Sequence, residues 1–196
     1  MTRMLTGFLV LLLLVGIVSL YHNAEGIPKA FMGYKVYHYE SDSWVRYYQD
    51  DPVPPGGATP GTNLWKYTYC ISNLEFTTGI YQLWVFFNTN NLPRATYSSA
   101  VVPTGWTPTY FGPVAPDNNW KMRFRTATSG YYVMPGSTLC GYEVQFTWVF
   151  PDSVPGPQSY DAITAVLSET GTTEELPPDP TPVESASWGK IKSLFK

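Results

Sequence analysis

Residues 64–72 read LWKYTYCIS and residues 120–126 read WKMRFRT. In both, large apolar side chains alternate with polar ones at a period of two, a pattern that a strand sorts onto two faces and a helix does not. Trp65, Tyr67, Tyr69 and Ile71 make the core face of the first run, with Lys66, Thr68, Cys70 and Ser72 opposite. Trp120, Met122 and Phe124 point inward in the second, against a solvated basic face of Lys121, Arg123 and Arg125.

Similar runs recur between turn clusters along the chain. GYKVYHYE and WVRYYQ flank Ser41-Asp42-Ser43 and read as a hairpin, after which the proline- and glycine-rich DDPVPPGGATPGT reads as a loop or hinge. IYQLWVFFN is apolar almost throughout, as expected of a central strand covered on both sides, either by the opposite sheet and a loop or by the first hairpin. TYSSAVV reads as a short strand, and PTGWTPTYFGPVAPDN as a long loop carrying Trp106, Tyr110 and Phe111. Past a turn at Pro135-Gly136, Cys140, Tyr142, Val144, Phe146 and Trp148 share one face of a long strand, and YDAITAVLSE supplies the last strand or edge. Gly and Pro number 16 and 18 of 196 residues and aromatics make up 16%, so the composition leaves little for helices. The expected fold is all-β: an antiparallel β-sandwich of about eight strands, Ig-like or jelly-roll-like.

The two ends differ from this body. Residues 1–26 place Arg3 before an uncharged apolar run from Leu5 to Leu20, the build of a secretory signal peptide rather than a spanning helix. Cleavage is expected after Gly26, with Ala24 or Ala30 as other sites, and an uncleaved anchor is the alternative. Losing Arg3 and Glu25 from 12 basic and 15 acidic residues leaves 11 and 14, still a net charge of −3. Such a balance argues against nucleic acid, which asks for a basic surface. A sandwich domain over residues 27–169 is then followed by an acidic, proline-rich linker over 170–180 and a tail over 181–196. In the tail, Thr181 as N-cap, Pro182 at N1 and Glu184 at N3 form a capping box. Trp188, Ile191, Leu194 and Phe195 fall on one stripe of the short amphipathic helix that follows. That stripe is expected to dock on an export or cell-surface partner or a membrane face, or to fold back on its own domain.

Catalytic equipment is sparse. His38 is the one histidine left after residue 26 and sits in a tyrosine-rich strand, so no serine or cysteine nucleophile has an evident base beside it. Glu40 with Asp42, Asp50 with Asp51, Glu75 and Glu143 are the carboxylates available to a glycosidase pair, and all read as solvated charges. Asp50, Asp51 and Asp117 lack the ordered spacing of a calcium loop. The glycines of PPGGATPGT lack the lysine and the strand-to-helix setting of a phosphate loop. No enzyme activity, metal or cofactor is expected. Cys70 and Cys140 are too few for a zinc site, and in an exported protein they are candidates for a disulfide. The assigned faces conflict, with Cys70 polar and Cys140 apolar, so either a bulge shifts the parity or the thiols never meet. Aromatics are the abundant resource. Trp106, Tyr110 and Trp120 can serve as flat platforms for sugar rings, or can fill the core and pin the long loop.

The stretches NLWKYTYCISNL, PTGWTP, MPGSTLCGYEVQF and GPQSYDA, within residues 60–165, resemble secreted bacterial β-sandwich proteins of unknown function. Many of those carry a C-terminal sorting tag with a PEP motif, an apolar span and a basic end. The tail PTPVESASWGKIKSLFK departs from that tag in having no such span. The resemblance implies an exported, extracellular or cell-surface protein, and with the sparse catalytic equipment the expected function is a non-enzymatic surface or structural module. A carbohydrate-binding module using exposed aromatics is the alternative, with a polysaccharide as partner and the membrane met only through the signal peptide before cleavage.

Overall fold

A computed structural model describes residues 29–56, 63–88, 95–114 and 119–178. Residues 1–26, expected to be a signal peptide, and the tail with Trp188, Ile191, Leu194 and Phe195 lie outside them.

Among the described residues, eleven strands form two sheets. The first sheet holds β1 (Ala30–Glu40), β2 (Ser43–Tyr47), β3 (Leu64–Asn73), β5 (Ala95–Val101), β8 (Thr138–Trp148) and β11 (Glu174–Glu175). Its order is β11-β1-β3-β8-β5, with β2 also pairing β1. The second sheet, in the order β10-β9-β4-β7-β6, holds β4 (Ile80–Phe87), β6 (Thr107–Val114), β7 (Asn119–Arg125), β9 (Ser159–Thr164) and β10 (Ser168–Thr172). All pairs are antiparallel except β1 with β11.

The alternation in the sequence becomes the sandwich interior. Trp65, Tyr67, Tyr69 and Ile71 of β3 are buried beside Tyr142, Val144, Phe146 and Trp148 of β8. Leu83, Val85 and Phe87 of β4 and Trp120, Met122 and Phe124 of β7 face them from the second sheet. The layers touch through Tyr67 and Phe87, with ring centroids 6.1 Å apart, and through Phe124 and Tyr142, at 5.2 Å. A core built from tyrosines must satisfy their hydroxyls. Tyr67 donates to the Gly156 carbonyl, Tyr69 to Gln158 Oε1, and Tyr160 to the Ala30 carbonyl across the layers.

The hairpin β1–β2 closes through Ser41 and Asp42, with φ of 46° and 65°, so the loop is two residues and Ser43 is already paired. Both central residues in the left-handed region match the twist of the flanking strands. β4 is central, as its apolar run predicts.

Three expectations are corrected. Residues 107–114, read as loop, are the edge strand β6, which tolerates Pro108 because it pairs on one side only, with β7. Residues 170–175, read as linker, extend the sheets as part of β10 and as β11. Cys140 does not share the face of Tyr142: Gly141, at φ 99°, introduces a bulge opposite Tyr69 and Cys70 that turns Cys140 outward. The parity conflict is thereby resolved, and Cys70 and Cys140 face each other with Cα atoms 4.0 Å apart and form a disulfide.

Candidate functional site

The sugar-platform candidates from the sequence do not form one surface. Trp106 is 6% exposed, stands edge-on to Tyr142 at 5.2 Å, and donates its indole N–H to the Tyr131 carbonyl. Trp120 is 5% exposed and stacks on Phe87 at 3.9 Å. Tyr110 reaches Trp120 at 5.9 Å and stacks on Tyr97 of β5 at 4.4 Å, closing the seam between the edge strands of the two sheets. Tyr110 is 37% exposed, but its ring is occupied by Tyr97. Trp106 and Trp120 therefore correct the expectation of open platforms. They are packing residues, one pinning the 103–106 turn and one sealing the core.

His38 is likewise structural. It faces inward on β1, with its ring 4.7 Å from Trp65. Its Nδ1 lies 2.8 Å from Glu40 Oε1 and its Nε2 2.6 Å from Asn63 Oδ1, while the Asn63 amide donates to the Trp148 carbonyl. Tyr47 also donates to Glu40. Hydrogen bonds from Tyr47 and His38 hold the Glu40 carboxyl below its ordinary range. Among the other carboxylates, Glu143 pairs with Lys66 at 3.6 Å, and Asp51 accepts from the Tyr48 backbone N–H. Asp50 and Asp152 share the rim of an open depression of about 490 Å³, and both are exposed.

The outer face of the second sheet was missed as a site by the sequence reading. Cross-strand register arranges it in three rows. Thr172, Ser159, Phe86, Lys121 and Phe111 lie across β10-β9-β4-β7-β6 in the first row. Thr170, Asp161, Trp84, Arg123 and Thr109 make the second, and Ser168, Ile163, Gln82, Arg125 and Thr107 the third. Strand spacing of about 4.8 Å and a same-face repeat of about 7 Å make this a plate roughly 19 Å wide and 14 Å long.

Its centre is aromatic and cationic at once. Trp84 and Phe111 lean toward each other over β7, with ring centroids 5.1 Å apart. Lys121 Nζ lies 4.6 Å from the Trp84 ring, 5.9 Å from Phe86 and 5.8 Å from Phe111. The Arg123 guanidinium lies 5.7 Å from Trp84 and 5.4 Å from Phe111, and Arg125 sits 5.9 Å from Tyr81. The cationic groups themselves lie over the rings, held by their quadrupoles. What covers the apolar outer side of β4 is thus neither a loop nor the first hairpin but the neighbouring cations. Arg123 also donates to Thr109 Oγ1 at 3.3 Å. Thr172, Thr170 and Ser168 border the plate along β10, and Thr109 and Thr107 flank Phe111 along β6. A sequence signal for this site did exist, in Trp84 and Phe86 two apart within one strand and three cations two apart in another.

No protein-family model matches the chain, and no curated protein matches it. Among solved structures, the chain is similar to a GH20 exo-β-N-acetylglucosaminidase from Vibrio harveyi, at TM-score 0.31 and 6% identity. The likeness covers 79% of this chain and 19% of that one. The same enzyme in complex with N-acetylglucosamine gives TM-score 0.30 over the same shares. Biomass-sensing modules of Rsgi-like proteins from Clostridium thermocellum, described as resembling the family 3 carbohydrate-binding module of the cellulosome, match at TM-score 0.30 and 10% identity. That match covers 63% of this chain and 76% of the module. At such scores the chemistry has to be read from this chain's own residues.

Proposed function

We propose that this chain is an exported, non-catalytic β-sandwich module that binds polysaccharide on the outer face of its second sheet. The observation that carries the reading is the plate itself: Trp84, Phe86 and Phe111 on two adjacent rows of rigid strand, bordered by hydroxyls and cations. Trp84, Phe86 and Phe111 are half-buried, and the parts that Lys121 and Arg123 leave uncovered take the apolar faces of sugars while the surrounding donors and acceptors take their hydroxyls. A plate on strands is pre-organised, so a polymer loses little affinity to ordering the protein. The disulfide fits an oxidising compartment. Exposure of both Asp50 and Asp152 denies them the apolar enclosure that a glycosidase acid needs, which favours binding over hydrolysis.

Affinity electrophoresis against a panel of neutral and acidic polysaccharides tests this. Trp84→Ala is expected to weaken binding about tenfold, the equivalent of about 1.4 kcal/mol, with native circular dichroism retained because Trp84 points out of the core. Tyr39→Ala, on the outer face of the other sheet, is expected to bind like the wild type. Retention of wild-type binding by Trp84→Ala, or a wild-type chain that no polysaccharide retards, would sink the reading.

The capped stripe of Trp188, Ile191, Leu194 and Phe195 fits a docking helix that holds the module on an export or cell-surface partner. A chain lacking residues 181–196 is expected to fold and to bind polysaccharide as before, yet to lose surface retention. Unchanged localisation of that chain removes the docking role.

A further inference from the structure

The outer faces of the two sheets treat their cations differently. On the first sheet, Lys66 lies over Tyr37 and Trp44, the same aromatic setting as Lys121, but it also has an acid: Glu143 at 3.6 Å. On the second sheet, Lys121, Arg123 and Arg125 form no ion pair among the described residues. The acid in the rows of that face is Asp161, two strands away from Arg123 with Trp84 between them. That separation is about 9.6 Å of sheet, and Arg123 turns instead to the Trp84 and Phe111 rings. Asp161 already accepts a hydrogen bond from Thr170 at 2.7 Å. The plate is therefore locally positive on a chain whose net charge is −3. A cation held over a ring, away from any carboxylate, keeps its charge for an incoming group.

We infer that the polysaccharide taken by this face is acidic, its carboxylate or sulfate groups meeting Lys121, Arg123 and Arg125 along β7 while its sugar rings lie against Trp84 and Phe111. The inference rests on the proposed binding role and narrows its ligand class. Three cations repeating about every 7 Å along one strand suit a linear polyanion rather than one isolated charge. The two arginines can hold a planar carboxylate or a sulfate with paired N–H donors, and Lys121 supplies a point charge.

The test uses the full secreted chain and matched polymers that differ in charge alone: polygalacturonate against its fully methyl-esterified form, and dextran sulfate against dextran. Binding to at least one charged member is expected to exceed that to its neutral counterpart by tenfold or more, and to fall as salt rises from low to physiological strength, as screening requires. Which charged member binds tells carboxylate from sulfate. Lys121→Gln and Arg125→Gln are each expected to lower that affinity by about three- to tenfold. Lys66→Gln, on the other face, is expected to leave it unchanged. Arg123→Lys keeps the charge and removes the fork, so a loss there with native circular dichroism supports paired donors to the anion. Equal binding to charged and neutral polymers, still lost in Trp84→Ala, would overturn the acidic ligand while leaving the polysaccharide role standing. Wild-type affinity in Lys121→Gln and Arg125→Gln together would overturn the assignment to β7. No binding to any polymer would remove both.

Discussion

Near pH 11 the sandwich is expected to unfold cooperatively. Tyr34, Tyr67, Tyr69, Tyr142 and Tyr160 are all at most 3% exposed, and burial is the main cause that raises every one of their phenol pKa values. Tyr34 and Tyr160 are pushed up to about 12, with further help from Glu175 at Tyr34 and from Glu169 and Glu174 at Tyr160. A phenol whose folded pKa lies above its unfolded value of 10 contributes stability that is complete below pH 10 and is lost as pH climbs toward the folded value. At pH 11 the unfolded chain has ionised these groups and the native chain has not. Each then weighs against the fold by on the order of 1 kcal/mol, together by several kcal/mol. A typical domain holds about 5–15 kcal/mol in all, so the loss is a large part of it. Circular dichroism and phenolate absorbance, recorded within minutes of mixing at each pH, should change together in one steep step. Retained native dichroism at pH 12 with a gradual phenol titration would contradict the account of the core.

Replacing both cysteines by alanine is expected to cost about 4 kcal/mol. The disulfide joins residues 70 apart in sequence, and the closed segment contains β4 to β7, strands from both sheets. Opening it frees the unfolded chain, which is where a crosslink of this length acts most. For a domain of this size the melting temperature should fall by roughly 8–16 °C. The double replacement is the proper comparison because a single one leaves a free thiol. Equilibrium denaturation showing a change under about 1 kcal/mol would mean that the reduced chain retains structure around β3 and β8.

These two expectations draw on parts of the fold that were legible in unequal measure. The facing rows of β3 and β7 could be read directly, because a half-buried strand must alternate and Trp65 to Ile71 and Trp120 to Phe124 do. The disulfide was readable as a pair but not as a geometry, since one glycine at φ 99° reverses the parity of everything before it in β8. β6 was hidden by Pro108, Gly112 and Pro113, residues that signal loops yet are compatible with an edge. β10 and β11 were hidden by their polarity, which suits strands at sheet edges. The candidate site was hidden for a different reason. In IYQLWVFF the outward Trp84 and Phe86 look like the inward Leu83, Val85 and Phe87, and nothing local says that cations from β7 will roof them. Only the register between β4 and β7 brings the two patterns together. Conversely, Trp106 and Tyr110 drew notice because they stand among turn residues, yet a tryptophan in such a stretch is often what holds it to the core.

The central claim is the location and use of the plate on β9, β4, β7 and β6. Backbone amide chemical-shift mapping of the ¹⁵N-labelled chain, titrated with a short polygalacturonate or dextran sulfate oligomer, tests it most directly. Saturable shifts are predicted at Trp84, Phe86, Thr109, Phe111, Lys121, Arg123 and Arg125, with the amides of Tyr37, Tyr39, Trp44 and Lys66 on the opposite face unmoved. Shifts concentrated on that opposite face, or none at all with either oligomer, would contradict it.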